Sequence, residues 1–354
     1  MPLLRQKVHG EVFETRTRVN NNGKILVIGA SGLVGSELIS ILLEMGIGPS
    51  TIIATSSEHS AGKALEIGGT AFVLKTISED LFSCTELVFQ CASNKAASIW
   101  VPKAIEAGCS VVDCSSEFRE TQGVPLVIPS LNGDLLKDNP QLVASPNCTT
   151  IILLSAIHKL QVAFDVQSIT VATYQAISGA GRAGLEALRN EIIGKPISAG
   201  GIFPEPCAFN VFCHESPVNS ETGFNAEEEK VISEVRKICC DDSIEIMPSC
   251  MRVPVERVHT EAITIIFRGE IISEQIKQTL RDTPDVVLLN DEGHFPTALK
   301  ARGGDEILVG HLRVVSAIDH TTVSFIACGD QLRTGAALNA VRIAQELTSV
   351  FAKN

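Results

Sequence analysis

The sequence predicts an α/β protein in two parts, a doubly wound parallel sheet followed by an α+β region built on a mixed sheet. Three observations predict it. A short apolar run, Lys24 to Gly29, passes through a glycine turn into Leu33 to Met45, where apolar residues recur at helical spacing. Short apolar runs then alternate with a helical stretch. After Pro146 the rhythm changes to longer strand-like runs, several joined with no room for a crossover helix.

Taken in order, the first β-α unit is followed by strand-like runs at Thr51 to Thr55, Glu86 to Ala92 and Ser110 to Cys114, with a helix expected over Ala97 to Ala107. A helix from Cys148 to Leu160 opens the second part. Strands are expected at Ser168 to Ile177, Ile244 to Val255, Ala262 to Phe267, Ile307 to Val315 and Thr322 to Cys328, and Leu338 to Phe351 reads as a closing amphipathic helix. No internal repeat or low-complexity linker interrupts the chain.

The composition excludes several classes of function. At 354 residues the chain is long enough for about two domains. Lys plus Arg is 29 against 41 Asp plus Glu, and a formal charge of −12 argues against nucleic acid or an anionic membrane as partner. Apolar residues make up 45% and charged residues 20%, the usage of a folded globular chain and not of a disordered one. The uncharged stretch Asn139 to Ile157 contains Pro140, Pro146 and Asn147, so it does not read as a membrane span. Residues 1–22 mix Arg, Lys and Glu without an apolar h-region and read as a flexible extension, which leaves the cytoplasm as the expected compartment. Eleven cysteines, an odd number with no Cys-x-x-Cys pair, fit neither a disulfide framework nor a zinc site. No metal is expected.

Gly29-x-x-Gly32-x-x-Gly35 falls where a strand turns into a helix, the place where backbone N–H groups can approach a pyrophosphate. A ligand-free tight turn would use the same glycines, and the strand and helix on either side favour a dinucleotide. The second strand ends Ala54-Thr55-Ser56-Ser57, without the carboxylate that holds a ribose 2′-hydroxyl. Hydroxyls there suit a 2′-phosphate, hence NADP.

Cys148 stands at the first turn of an apolar helix, where the helix dipole and unpaired N–H groups favour a thiolate and could hold an oxyanion. Among eleven cysteines any single one is ordinarily a core thiol; position alone distinguishes this one. Asn147 before it can act as the helix cap. His259 follows Arg252-Val-Pro-Val-Glu-Arg-Val, and two arginines so close to a histidine in an acidic chain point to an anion site.

These segments, taken together, resemble the aspartate-semialdehyde dehydrogenase family from about Lys24 to the C-terminus. The resemblance lies in Gly29-Ala-Ser-Gly-Leu-Val-Gly35, Ser116-Glu-Phe-Arg119, Ser145-Pro-Asn-Cys-Thr-Thr150, Tyr174-Gln-Ala-Ile-Ser-Gly-Ala-Gly181, Glu227-Glu-Glu-Lys230, Arg252 to His259 and Gly335-Ala-Ala337. It implies an N-terminal Rossmann-type doubly wound sheet (23–147 with 333–354), an α+β catalytic and dimerisation domain with a mixed sheet (148–332), and a homodimer that could pair into tetramers. It implies Cys148 as nucleophile, His259 as acid/base and Gln175 as the residue that orients the acyl intermediate. Arg252 would take the substrate carboxylate and Glu227 its ammonium, while Lys230, Arg119 and Asn147 would bind phosphate. Gly29, Ser31, Gly32, Leu33 and Val34 would line the cofactor pyrophosphate, Ser56, Ser57, His59 and Ser60 the adenosine phosphate, and Ser178 and Gly179 the nicotinamide, with Gln331 also at the cofactor.

The implied reaction is reductive dephosphorylation of L-4-aspartyl phosphate to L-aspartate 4-semialdehyde through a cysteine thioester, in the biosynthesis of lysine and diaminopimelate, threonine, methionine and isoleucine. His259 is expected to move protons because an imidazole titrates near neutrality. The chain departs from the family pattern at His59, where Arg is frequent, at Gln331 and Thr334, where Asn and Lys are common, and at Ser93, where a glycine is expected. All four touch cofactor binding. N-acetyl-glutamyl-phosphate reductase shares the thiol scheme but has no free ammonium for Glu227 to bind. A glyceraldehyde-phosphate type enzyme fits the Arg252 to His259 spacing poorly, and a silent NADP-binding homologue has no chemical need for Cys148, Gln175, Arg252 and His259 together.

Overall fold

A computed structural model of the chain describes residues 6–8, 11–13, 23–195, 201–289, 294–348 and 351. It divides into two compact units, 1–146 with 336–354, and 147–335. The expected flexible extension, 1–22, lies mostly outside the described residues; the part described, Gln6–Val8 with Glu11–Phe13, forms a short antiparallel pair.

The first unit is a six-stranded sheet, parallel throughout. Strand β1 (Lys24–Ile28) leads into α1 (Leu33–Glu44) and β2 (Ile52–Ser56). A hairpin follows, β3 (Ala64–Ile67) and β4 (Thr70–Val73), then β5 (Lys75–Thr76), β6 (Thr85–Gln90), α2 (Asn94–Glu106), β7 (Ser110–Asp113) and β8 (Leu142–Ala144). The strand order is β8-β7-β6-β1-β2-β5, so the chain reverses direction between β1 and β6. In open α/β sheets the crevice at such a reversal is where ligands bind. Ile25, Val27, Leu38, Leu42, Leu87 and Phe89 form its core together with the C-terminal helix Leu338–Leu347.

Several sequence expectations shift by local physics. The helix expected from Ala97 begins at Asn94, because Ser93 accepts a hydrogen bond from the Ala96 N–H and caps it. The serine that replaces an expected glycine is thus a helix cap. The C-terminal helix stops at Leu347, with Thr348 extended after it, short of the expected Phe351. The β3-β4 hairpin was not anticipated; its signal was Gly68-Gly69, both at positive φ, the pair that a two-residue hairpin turn requires.

The second unit carries α3 (Cys148–Ala163), β9 (Val166–Ala176), α4 (Gly181–Ile192), β10 (Phe212–Cys213), α5 (Ala226–Cys239), β11 (Glu245–Val253) and β12 (His259–Arg268). Then come α6 (Ser273–Arg281), β13 (Val286–Leu288), β14 (Ile307–Ser316) and β15 (His320–Gly329). Its seven strands run in the order β10-β11-β9-β12-β15-β14-β13, parallel only at β11-β9 and β14-β13, so the sheet is mixed. Helix α3 packs on β12, β14 and β15 and touches α5 and α6. Buried residues such as Ile152, Leu153 and Leu160 lie nearly all round it, as a helix covered on every side requires.

The strand registers fix what shares a row. Gln175 pairs with Arg252, and His259, at the start of β12, pairs with Gly329. A Cβ at Gly329 would lie 2.8 Å from the Ile152 side chain, so the glycine lets α3 approach. One step along the sheet, Thr173 pairs with both Cys250 and Glu261. Glu261 is fully buried, and neither carboxyl oxygen has a partner among the described residues. Burial therefore drives its pKa well above the ordinary value of 4.5 and keeps it protonated.

Two outcomes are expected from this packing. A Cβ on Gly35 would fall 2.4 Å from the Gly29 carbonyl oxygen, so Gly35→Ala should destabilise the chain by about 1–3 kcal/mol in denaturant unfolding. Because the Glu261 carboxyl binds its proton more tightly folded than unfolded, the stability of the wild type should fall as pH rises above 4.5 toward the raised value. The contribution approaches about 1.4 kcal/mol per pH unit. Glu261→Gln cannot titrate, so its melting temperature should gain on the wild type between about pH 5 and 8; parallel curves would contradict a buried neutral carboxyl.

Candidate functional site

In the first unit the glycine motif forms the turn between β1 and α1. Gly29 has φ +84°, and a Cβ there would lie 2.9 Å from the Ala92 N–H that follows β6. The Gly29 and Ala30 N–H groups donate to the Thr55 carbonyl, while Gly32 forms the N-terminal boundary of α1 with no side-chain cap. Ser31, Gly32, Leu33 and Val34 are half-buried around the first α1 N–H groups. The first N–H groups of a helix have no partner within it, which is the arrangement that can receive a pyrophosphate. At the end of β2, Ser56 is buried and Ser57, Glu58 and His59 are exposed, with Ser60 half-buried. Arg119 is buried in this unit and donates from Nε to the Ser145 carbonyl at 2.9 Å and from Nη2 to that of Cys114 at 3.2 Å.

In the second unit five element ends meet: the N-termini of α3 and α5, the ends of β9 and β11, and the start of β12. Asn147 caps α3 by accepting the Thr149 N–H at 2.8 Å, leaving Cys148 as the first helical residue. Cys148 is half-buried, with its Sγ 3.3 Å from His259 Nε2. Gly335 leaves room beside it, since a Cβ there would lie 3.3 Å from the Cys148 Cβ.

The backbone fixes the state of His259. The Ala176 N–H donates to Nδ1 at 3.0 Å, so the neutral ring carries its proton on Nε2, facing the sulfur. Full burial, with the Arg252 cation nearby, lowers the imidazole pKa to about 3. Burial thus works against the near-neutral titration expected of this residue, and the neutral ring is an N–H donor toward Cys148. Val258 before it stands at φ +83°, held there by an N–H bond to Gln331 Oε1 at 2.6 Å. Gln331 also donates to Ser178 Oγ, so two polar residues expected at the cofactor are bonded to each other. Gly179 lies against the same cluster: a Cβ there would approach Arg252 Nη1 to 2.8 Å.

Glu227 ties these ends together. It is buried at the first turn of α5 and accepts from Asn147 Nδ2 at 2.9 Å, Gln175 Nε2 at 3.2 Å and Lys230 Nζ at 3.1 Å. Burial pushes its pKa up, but the Lys230 ammonium and the donated hydrogen bonds outweigh it and leave a value of about 2. Gln175 also donates to Thr149 Oγ1 at 2.6 Å, and its Oε1 has no partner among the described residues. The other glutamates of the triplet do other work. Glu228 closes a capping box with Asn225, and Glu229 binds Asn219 and Thr222.

Sequence reasoning missed three members of this cluster. Glu234, two turns along α5 from Glu227 and on the same face, accepts the Asn147 N–H at 2.6 Å. His214 and Glu215 come from a loop with no periodic pattern. Glu215 grips Arg252 side-on, Oε2 to Nε at 3.1 Å and Oε1 to Nη2 at 2.7 Å, and His214 Nε2 lies 2.6 Å from the same Nη2. Arg252 is therefore engaged by a carboxylate of its own chain. Among the described residues no group of acidic, cysteine or histidine side chains is arranged for a metal. No described helix is long and apolar enough to cross a membrane.

Comparison with known proteins identifies the family. Residues 24–139 match the semialdehyde dehydrogenase NAD binding domain, and residues 154–334 match the semialdehyde dehydrogenase dimerisation domain. An aspartate-semialdehyde dehydrogenase of Synechocystis is 36% identical over 92% of this chain and 97% of its own length. One of Aquifex aeolicus is 32% identical over 92% and 97%. The crystal structure of aspartate semialdehyde dehydrogenase II from Vibrio cholerae superposes with a TM-score of 0.84 at 32% identity, covering 92% of this chain and 98% of that one, and its complex with ASA with 0.85. With a thiol at a capped helix start facing a tautomer-fixed imidazole, and relatives matched along nearly their whole length, this chain belongs to the aspartate-semialdehyde dehydrogenase family.

Proposed function

We infer that the chain is an NADP-dependent enzyme that converts L-4-aspartyl phosphate to L-aspartate 4-semialdehyde with release of phosphate. The observation that carries this reading is the Cys148 Sγ to His259 Nε2 contact at 3.3 Å, with the proton on the imidazole side. In it Cys148 attacks the acyl carbonyl as a thiolate, and the His259 Nε2–H and the α3 N-terminus stabilise the oxyanion. Phosphate leaves and a thioester remains on Cys148. Gln175 then orients the acyl group. NADPH, when bound, supplies the hydride that reduces this thioester, and expulsion of the thiolate from the resulting hemithioacetal releases the aldehyde. For His259 to accept a proton in the reverse direction, its Nδ1 contact with Ala176 must first give way.

Within this reading Arg252 takes the α-carboxylate and Glu227 the ammonium. Lys230, Arg119 and Asn147 are assigned to phosphate. The Gly29 to Val34 turn would hold the cofactor pyrophosphate, and the second-strand tip, with hydroxyls at Ser56, Ser57 and Ser60 and the exposed His59, the 2′-phosphate. Ser178 and Gly179 would lie beside the nicotinamide, and Gln331 would also contact the cofactor. A homodimer fits the exposed Met247 and Tyr174 on the sheet face away from α3, and a cytoplasmic setting fits the absence of a membrane-spanning helix among the described residues.

Phosphate-dependent NADP reduction with aspartate semialdehyde, set against N-acetyl-glutamate semialdehyde, tests the reading; a preference for the second substrate would replace it. Cys148→Ala should abolish turnover, and iodoacetamide should inactivate with loss of one thiol. Arg252→Lys keeps the charge but loses the planar fork, so kcat/KM should fall by about 1.5–3 kcal/mol in transition-state terms. Because His259 is neutral above about pH 3, His259→Asn should lower kcat/KM without changing the shape of its profile from pH 5 to 8. A limb near pH 6.5 that disappears in the variant would contradict the fixed tautomer. Dissociation constants for NADP and NAD, in wild type and His59→Ala, decide whether His59 touches the phosphate: a preference for NADP that weakens in the variant is the expected result, and equal preference in both would remove His59 from the site.

A further inference from the structure

Arg252 presents no vacant carboxylate edge. Its Nε and Nη2 hold both oxygens of Glu215, Nη2 also meets His214 Nε2, and Nη1 donates to the Ala176 carbonyl at 3.2 Å. Arg252 is 3% exposed, and Gly179 lies so near that a Cβ there would come within 2.8 Å of Nη1, so no second side-on edge is available. A planar fork pairs bidentately with one carboxylate on that edge at a time. Glu215 differs from its partner in access. Its side chain is 20% exposed and stands on the loop between β10 and α5, so it can leave toward solvent while Arg252 stays.

Resting on the activity argued above, we propose that Glu215 is a specificity-determining residue that fills the carboxylate edge of Arg252 until the α-carboxylate of the substrate displaces it. Binding then exchanges one ion pair for another, and the net gain is the difference between them. A ligand with an α-carboxylate must compete with Glu215, whereas one without it leaves the Arg252–Glu215 pair intact. The internal carboxylate also spares Arg252 from being buried as an unpaired charge in the free chain.

The test compares L-asparagine, an unreactive ligand with both α-groups, and 3-aminopropanamide, which lacks only the carboxylate. Calorimetry on the wild type and Glu215→Gln should show L-asparagine binding about fivefold to tenfold more tightly to the variant, since a neutral amide holds a guanidinium less strongly than a carboxylate does. Binding of 3-aminopropanamide should not change, and the KM for aspartate semialdehyde should fall. If Glu215 merely supports Arg252, L-asparagine will bind more weakly and KM will rise, which overturns the proposal. Equal shifts for both ligands, or no binding of L-asparagine to either form, overturn it as well. Should Glu215→Gln not fold, Glu215→Asp, one methylene shorter, replaces it with the same expected direction. Lack of wild-type turnover with aspartate semialdehyde would remove the activity itself and leave the calorimetric comparison to decide Glu215.

Discussion

The buried carboxylate of Glu227 is the interaction on which the reactive centre depends. It draws the cap of α3, the end of β9 and the first turn of α5 to one point through Asn147, Gln175 and Lys230. A carboxylate out of water is costly unless its oxygens are bonded, and these partners meet that cost. Their geometry in turn fixes where α3 begins, and therefore where Cys148 stands. Glu234 adds a second carboxylate from the same helix face on the Asn147 N–H, so the turn before the thiol is held from its backbone and from its side chain.

Around that point the backbone sets the chemistry. The Ala176 N–H decides which imidazole nitrogen carries the proton and turns Nε2 to the sulfur, while Gln331 holds the Val258 backbone just before it at positive φ. A neutral N–H donor beside a helix N-terminus favours a thiolate without needing an imidazolium, which burial and the Arg252 charge disfavour. The same logic runs one row deeper. There Glu261, with no partner among the described residues, is kept as a neutral acid.

The sheet registers explain why residues far apart in sequence act together. Gln175 and Arg252 pair across β9 and β11, and His259 begins the strand on the other side of β9, so these three residues become neighbours at one end of a mixed sheet. Small residues keep the layers close: Gly329 under α3, Gly179 against Arg252 and Gly335 beside Cys148. Each marks a place where a side chain would force backbone or a reacting group to move.

Much of this was legible in the sequence. Glycine spacing after an apolar run gives the first turn, because only a residue without a Cβ fits 2.9 Å from Ala92 and 2.4 Å from the Gly29 carbonyl. Hydrophobic period separated the parallel sheet from the mixed one, and the position of Cys148 after Asn147 was enough to place a thiol at a helix start. What the tertiary structure alone decided was the partnership of charges. Nothing in the local pattern around Glu215 or His214 says that they close on Arg252, some 37 residues on, and nothing in the sequence of His259 gives its burial or tautomer. Period and turn chemistry are written in near neighbours along the chain, whereas ionisation and ion pairing depend on which groups are brought together out of water, and that follows only from the folded sheet.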